Sequence, residues 1–235
     1  MKRLIKSVTA IAAAVIAVAS CQQKELAAPA TLEQAVRFYA LTPDTRAYFG
    51  APEGNSYPVS WSEGDKVKAS LNFASGLNAD VKYDEAGRPF FDITFKEATA
   101  ETYNIVAMCP ADAAMGFYGS TANNPNTVNM ELPAVQTSGE GTPDAKAMII
   151  AAANELGTSL PDAVSLQFHH VTAYARMQFT NLALGDATVS SISITADTDI
   201  AGRFLYHPFA DDEYDAGEVA VNGTSGIKTI SVNTT

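Results

Sequence analysis

Hydrophobic and polar positions alternate with a period of two along most of this chain, which is the signature of half-buried strands. In Lys66-Val67-Lys68-Ala69-Ser70-Leu71-Asn72-Phe73 the apolar set Val67, Ala69, Leu71 and Phe73 shares one face. Val81-Lys82-Tyr83 and Phe90-Phe91-Asp92-Ile93-Thr94-Phe95 flank the turn Asp84-Glu85-Ala86-Gly87-Arg88-Pro89 and read as a hairpin. Val128, Met130 and Leu132 alternate with Asn129 and Glu131. Val164, Leu166 and Phe168 alternate as well, but the following set, Val171, Ala173, Ala175, Met177 and Phe179, is out of phase with them. The register therefore shifts near His169-His170, through a bulge or a strand that changes sheets. Val189–Ile194, Arg203–Tyr206 and Ile227–Val232 supply further strands. Ala145–Glu155 is the one stretch of helix-forming composition, yet its apolar residues run continuously, so it reads equally as a buried strand. Turn clusters such as Ala51-Pro52-Glu53-Gly54-Asn55 and Asn123-Asn124-Pro125-Asn126 separate short strands, and no repeat of fixed period is present. The expected fold is all-β, an antiparallel β-sandwich with little helix.

The N-terminus departs from this pattern. Met1-Lys2-Arg3-Leu4-Ile5-Lys6 is basic, Ser7–Ala19 is apolar, and the run closes on Val18-Ala19-Ser20-Cys21. At about 14 residues the run is shorter than the roughly 20 a membrane-crossing helix needs, and a basic head, short apolar body and small-residue end are the parts of a signal peptide. The ending resembles the lipobox of bacterial lipoproteins, which makes residues 1–20 the leader and Cys21 the lipidated first residue of the mature chain. Residues 21–35 read as a lipidated tether, and several acyl chains make such anchoring stable.

Charge narrows the partners. The full chain carries -11, and loss of residues 1–20 removes Lys2, Arg3 and Lys6 but no acid, so the mature form carries -14. A surface this acidic does not suit nucleic acid.

Candidate chemistry is sparse. Of two cysteines, Cys21 is consumed by lipid, and Cys109 sits in an apolar strand with no basic neighbour to activate it. No disulfide is available, so the fold rests on its core. Of the three histidines, His169 and His170 are adjacent in a strand and point to opposite faces, while His207 stands apart. Asp197-Thr198-Asp199 and Asp211-Asp212-Glu213-Tyr214-Asp215 read as solvated acidic loops without EF-hand spacing. No nucleophile elbow, phosphate loop or dinucleotide fingerprint appears. The expectation is a non-enzyme with no cofactor and no metal. Trp61, the single Trp, reads as a core anchor beside the turn Ser62-Glu63-Gly64-Asp65, the competing role being a sugar-stacking ring. Gly202 reads as a point of bend or close backbone approach.

Taken in order, Thr45-Arg46, Val59-Ser60-Trp61-Ser62-Glu63-Gly64-Asp65-Lys66-Val67, Leu132-Pro133-Ala134-Val135-Gln136, Phe168-His169-His170-Val171-Thr172-Ala173-Tyr174-Ala175-Arg176-Met177-Gln178-Phe179, then Val189–Ala196 and Ala201-Gly202-Arg203-Phe204, resemble the fimbrillin family. Its members are the fimbrial subunits and related surface lipoproteins of Bacteroidales. The resemblance spans most of residues 45–232. It implies a transthyretin-like, Greek-key sandwich over residues 36–235 corresponding to the first of two fimbrillin domains, with the second absent in a short variant or lost by truncation. It further implies an exported protein, lipid-anchored at the outer membrane and exposed on the cell surface or fimbrium, whose partners are the membrane, other fimbrial subunits and a host or glycan receptor. In polymerising relatives an arginine-specific protease removes the N-terminal strand, and a neighbour's strand fills the groove. On this chain the matching processing position is Arg46, after Pro43-Asp44-Thr45, and the strand released is Val36–Leu41; the alternative is that Arg46 stays uncut in an anchor that keeps its lipid. The competing function is a lipid-tethered glycan-binding module of a polysaccharide-uptake system, with Tyr48, Phe49, Phe117, Tyr118 and Tyr206 as stacking aromatics.

Overall fold

A computed structural model describes residues 31–41, 60–98, 100–120, 126–138, 143–174 and 188–234. Cys21 and its leader, Arg46, Tyr48, Phe49 and the apolar run from Ala175 to Phe179 lie outside these residues.

The described chain is all-β. Its strands are β1 (Thr31–Leu41), β2 (Lys66–Leu71), β3 (Leu77–Asp80), β4 (Lys82–Tyr83), β5 (Pro89–Ala98), β6 (Tyr103–Cys109), β7 (Ala114–Tyr118) and β8 (Thr127–Leu132). They continue as β9 (Val135–Ser138), β10 (Ile150–Gly157), β11 (Ala163–Gln167), β12 (His169–His170), β13 (Ser191–Thr195), β14 (Ala201–His207), β15 (Glu218–Ile227) and β16 (Thr229–Thr234). Among the described residues, helix is confined to two 3-10 turns, Ala111–Ala113 and Ala145–Ala147.

Four sheets form, in the orders β11-β1-β5-β4, β12-β10-β6-β2-β3, β15-β14-β8-β7 and β13-β16-β9. Pairing is antiparallel apart from two parallel contacts, β1 with β11 and β16 with β9. The second sheet is covered on both faces. Ile105, Ala107 and Cys109 of β6 with Ile150 and Ala152 of β10 face the first sheet. Their alternates Val106, Met108 and Ala151, with Ile149 just before β10, face the third. A strand buried on both sides has no polar face to alternate with, which is why the run before Glu155 is continuously apolar. It resolves as the Ala145–Ala147 turn followed by β10.

The phase change at His169-His170 is a change of sheets: β11 pairs with β1, whereas β12 pairs with β10. Two expected strands end early. β2 stops at Leu71 because Asn72 and Phe73 adopt φ of 50° and 57°, stabilised by Asn72 N donating to Asn104 O and Asn104 N donating to Asn72 Oδ1. That reversal swings Phe73 out of the face of Val67, Ala69 and Leu71 and into the opposite core. The Ile227–Val232 run is broken at Lys228, so Ile227 ends β15 and Thr229 begins β16 in another sheet. Gly202 has φ of 92°, and a Cβ there would collide with Ser225 O, so the expected close approach is present. β1 begins at Thr31, inside the stretch read from composition as tether.

Candidate functional site

β1 is the element on which the functional reading turns, and it occupies an interior place in the first sheet. On one side it runs antiparallel to β5 from Thr31 opposite Ala98 to Tyr39 opposite Phe90. On the other it runs parallel to β11 from Arg37 opposite Ala163 to Leu41 opposite Gln167. Upstream of that second pairing, Arg37 N donates to Asp162 O and Gln34 Nε2 donates to Leu160 O, both at 3.0 Å. The strand is thus flanked on both sides along its second half and by β5 along its first.

Alternation sends Val36, Phe38 and Ala40 inward, where each is at most 1% exposed. The Phe38 ring stacks on Phe91 at 5.3 Å and meets Phe95 edge-on at 6.1 Å. Val164 and Leu166 of β11 complete the slot. By area, seating Val36 and Phe38 contributes roughly 5 kcal/mol. The floor and walls are apolar and the two sides offer main-chain donors and acceptors, so the seat accommodates a peptide strand with apolar side chains at alternate positions. Among the described residues its lining, Phe91, Ile93, Phe95, Val164 and Leu166, is apolar throughout.

The outward face of β1 is polar and aromatic. Arg37 donates a two-pronged bond to Asp92, 2.8 Å from Nε and 3.1 Å from a terminal nitrogen, while its guanidinium lies 4.0 Å over the Phe90 ring. The Asp92 hydrogen bond raises the Arg37 pKa above its ordinary value. Arg88 stands 4.4 Å over the Tyr39 ring and donates to its hydroxyl at 3.2 Å. Nothing in the sequence marks these pairs, because cross-strand register brings together residues that are remote along the chain.

Other residues singled out from sequence fall elsewhere. Trp61 is 5% exposed and packs edge-on against Phe168 at 5.0 Å, so it is a core anchor and presents no ring to a sugar. Cys109 is buried in the first core, and burial pushes its thiol pKa far above the ordinary range. His170 Nδ1 lies 3.2 Å from the Tyr174 hydroxyl, whereas His169 is exposed. His207 is 1% exposed, lies flat on Tyr214 at 3.8 Å, and neither ring nitrogen has a hydrogen-bond partner among the described residues. Asp211 Oδ1 accepts from the backbone N–H groups of Glu213 and Tyr214, closing that acidic loop on itself. Of the proposed stacking aromatics, Tyr206 is buried and Phe117 packs on the second core, leaving Tyr118 exposed.

The chain matches no protein-family model, no curated protein and no solved structure.

Proposed function

We propose that this chain is a non-enzymatic surface lipoprotein, exported by its leader and held at the outer membrane through Cys21, that serves as a structural or anchor subunit of a fimbria and joins neighbours by β-strand addition. The observation that carries this reading is the seat of β1. A strand near the N-terminus lies inside a sheet, between β5 and β11, with an apolar inner face and main-chain pairing on both sides. Its departure would leave a hydrophobic slot lined by Phe91, Ile93, Phe95, Val164 and Leu166 and two rows of unpaired backbone groups. Such an exposed edge drives pairing with another strand.

Cutting the chain after Arg46 removes the covalent link between β1 and β2 without removing the contacts of β1. The expected outcome of limited arginine-specific proteolysis is therefore a nicked protein that keeps β1 until a competing strand displaces it. It then oligomerises or captures a donor peptide, while the intact chain does neither. A nicked protein that stays monomeric, melts like the intact one and captures no strand would rule out exchange. Separately, Cys21→Ala is expected to abolish lipidation and release the protein from the membrane fraction, read by intact mass and fractionation; unchanged mass and fractionation would remove the anchor.

A further inference from the structure

On the outer face of the first sheet, a cleft of about 520 Å³ opens beside the turn that joins β4 to β5, lined by Arg37, Tyr83, Asp84, Glu85, Arg88 and Phe90. That size falls within the range of small-ligand sites, about 300–1,000 Å³.

The rim is built to hold its shape. Asp84 N donates to Arg88 O at 3.1 Å and Gly87 N to Asp84 O at 2.9 Å. Asp84 Oδ1 accepts from Ala86 N and Arg88 N, and Asp84 Oδ2 from Arg88 Nε at 2.8 Å. The backbone N–H of Arg88 is the first cause of an Asp84 pKa below the usual carboxylate value. Gly87, with φ of 74°, permits this tight reversal. The Tyr83 hydroxyl donates to Trp61 O, which fixes the ring while leaving the residue 41% exposed. Arg88 is fixed twice, by Asp84 and over Tyr39, and Arg37 twice, by Asp92 and over Phe90. Groups already held in place lose little freedom when a ligand arrives.

Charge selects the ligand. Two guanidinium groups face two wall carboxylates, Asp84 and Glu85, and Asp92 already occupies Arg37. An anion would have to displace a carboxylate to bind, in a protein whose net charge is -11. A neutral polyol meets the held donors of Arg37 and Arg88 and the carboxylate of Glu85, free among the described residues, next to an exposed ring whose electron-rich face attracts C–H bonds. We propose that this cleft binds a neutral oligosaccharide, with a pyranose face against Tyr83 and hydroxyls bridging Glu85, Arg88 and Arg37. Because Arg37 stands on β1 and Arg88 rests on Tyr39 of β1, the sugar binds the form in which β1 is seated and stabilises it by linkage.

Calorimetric titration of the intact chain with xylohexaose, cellohexaose and mannohexaose, beside hexagalacturonate as the anionic comparison, tests this. At least one neutral hexaose should bind saturably and raise the melting midpoint, with affinity reduced about tenfold or more by Tyr83→Ala and Glu85→Ala. Tyr83→Phe, which keeps the ring, should retain binding. Glu85 is exposed and carries no hydrogen bond or ion pair among the described residues, so Glu85→Ala leaves the fold intact and keeps the test decisive if Tyr83→Ala misfolds. Absence of binding by every neutral hexaose at about 10 mM, preference for the galacturonate, or unaltered affinity in Glu85→Ala would overturn the proposal. The intact chain keeps β1 seated, so either result is independent of whether β1 exchanges between molecules.

Discussion

On one side of the central sheet, β6 and β10 meet rings: Phe38, Phe91, Phe95, Phe168 and Trp61. On the other side the same two strands share a core with smaller and softer groups, Ala113, Ala114, Val128 and Met130, beside the rings of Phe73, Phe204 and Tyr206. The rings of the first core touch one another, Phe38 with Phe91 and Phe95 and Trp61 with Phe168, so each occupies a slot shaped by its neighbours. Small residues and methionine pack closely and adapt. If β1 exchanges between molecules as proposed, the difference between the two cores sets where an incoming strand would be discriminated. Phe38 is enclosed by the rings of Phe91 and Phe95, so the slot it fills fits a ring of that shape.

The largest expected effect follows from that contrast. Phe38→Ala empties the slot and should cost about 3–5 kcal/mol, the range for a buried Phe, with amide exchange rising first in β1. Met130→Ala in the second core should cost less, about 2–3 kcal/mol, because flexible neighbours relax around the gap, and it should leave the protection of β1 no lower than that of the rest of the fold. Chemical denaturation with site-resolved exchange measures both. Equal losses, or a first core that tolerates Phe38→Ala, would erase the distinction.

How much of this was readable beforehand depends on the range of the interactions. Val67, Ala69 and Leu71 announced a buried face because alternation is local. The out-of-phase apolar residues around His169-His170 announce, for the same reason, a bulge or a change of sheets, and the pairing of β11 with β1 and of β12 with β10 makes it a change of sheets. Alternation alone puts Phe73 on the wrong face, because its position depends on the φ of Asn72 and its own, held by an exchange with Asn104 that no pattern encodes. The break at Lys228 was hidden because residues on both sides alternate acceptably. Val36, Phe38 and Ala40 were legible as one face of a strand. That this strand lies between β5 and β11, with parallel pairing on one side, was not, since register between distant strands is fixed by tertiary packing. The cleft was illegible for the same reason: Arg37 reaches Phe90 and Arg88 reaches Tyr39 only after β1 and β5 have paired.

A smaller effect separates the two cores by pH. His207 closes β14, at the margin of the second core, and faces Tyr214, Asp211, Glu213 and Glu218. Burial lowers its pKa from the ordinary value, outweighing the pull of those three carboxylates. In the window below the unfolded value, about 6.5, the unfolded chain takes up a proton that the folded chain refuses, so stability is lost as pH falls through that window and recovered as it rises. His170, whose pKa burial also lowers, contributes with the same sign. His207→Phe keeps a ring against Tyr214 and should flatten the decline in melting midpoint between about pH 7.5 and 5.5, leaving the part due to His170. An unchanged decline would mean that His207 titrates normally. In the first core the Cys109 thiol, held protonated by burial, adds no such slope.

The smallest expected effect concerns the two faces of β1 itself. Arg37 and Asp92 form a two-pronged ion pair across β1 and β5, yet their side chains are 42% and 40% exposed. Water and salt screen such a pair, and holding two long side chains in one geometry costs entropy. If the inner face seats the strand, Arg37→Ala should leave the melting midpoint close to that of the parent. Asp92→Ala should behave similarly, and the coupling between them should vanish at an ionic strength of about 1 M, where the screening length is about 3 Å. Arg37 also covers Phe90, so part of any loss in Arg37→Ala will persist in salt as uncovered apolar surface. The double-mutant cycle separates these contributions: the ion pair appears in the salt-sensitive coupling, and the cover over Phe90 in the residue-specific, salt-insensitive loss. A coupling as large as the Phe38→Ala effect would move the hold on β1 from its buried face to its exposed one. Under the proposed exchange, release of β1 would then respond to ionic strength, whereas a hold through Phe38 would make it respond to the side chain that a competing strand brings to the slot.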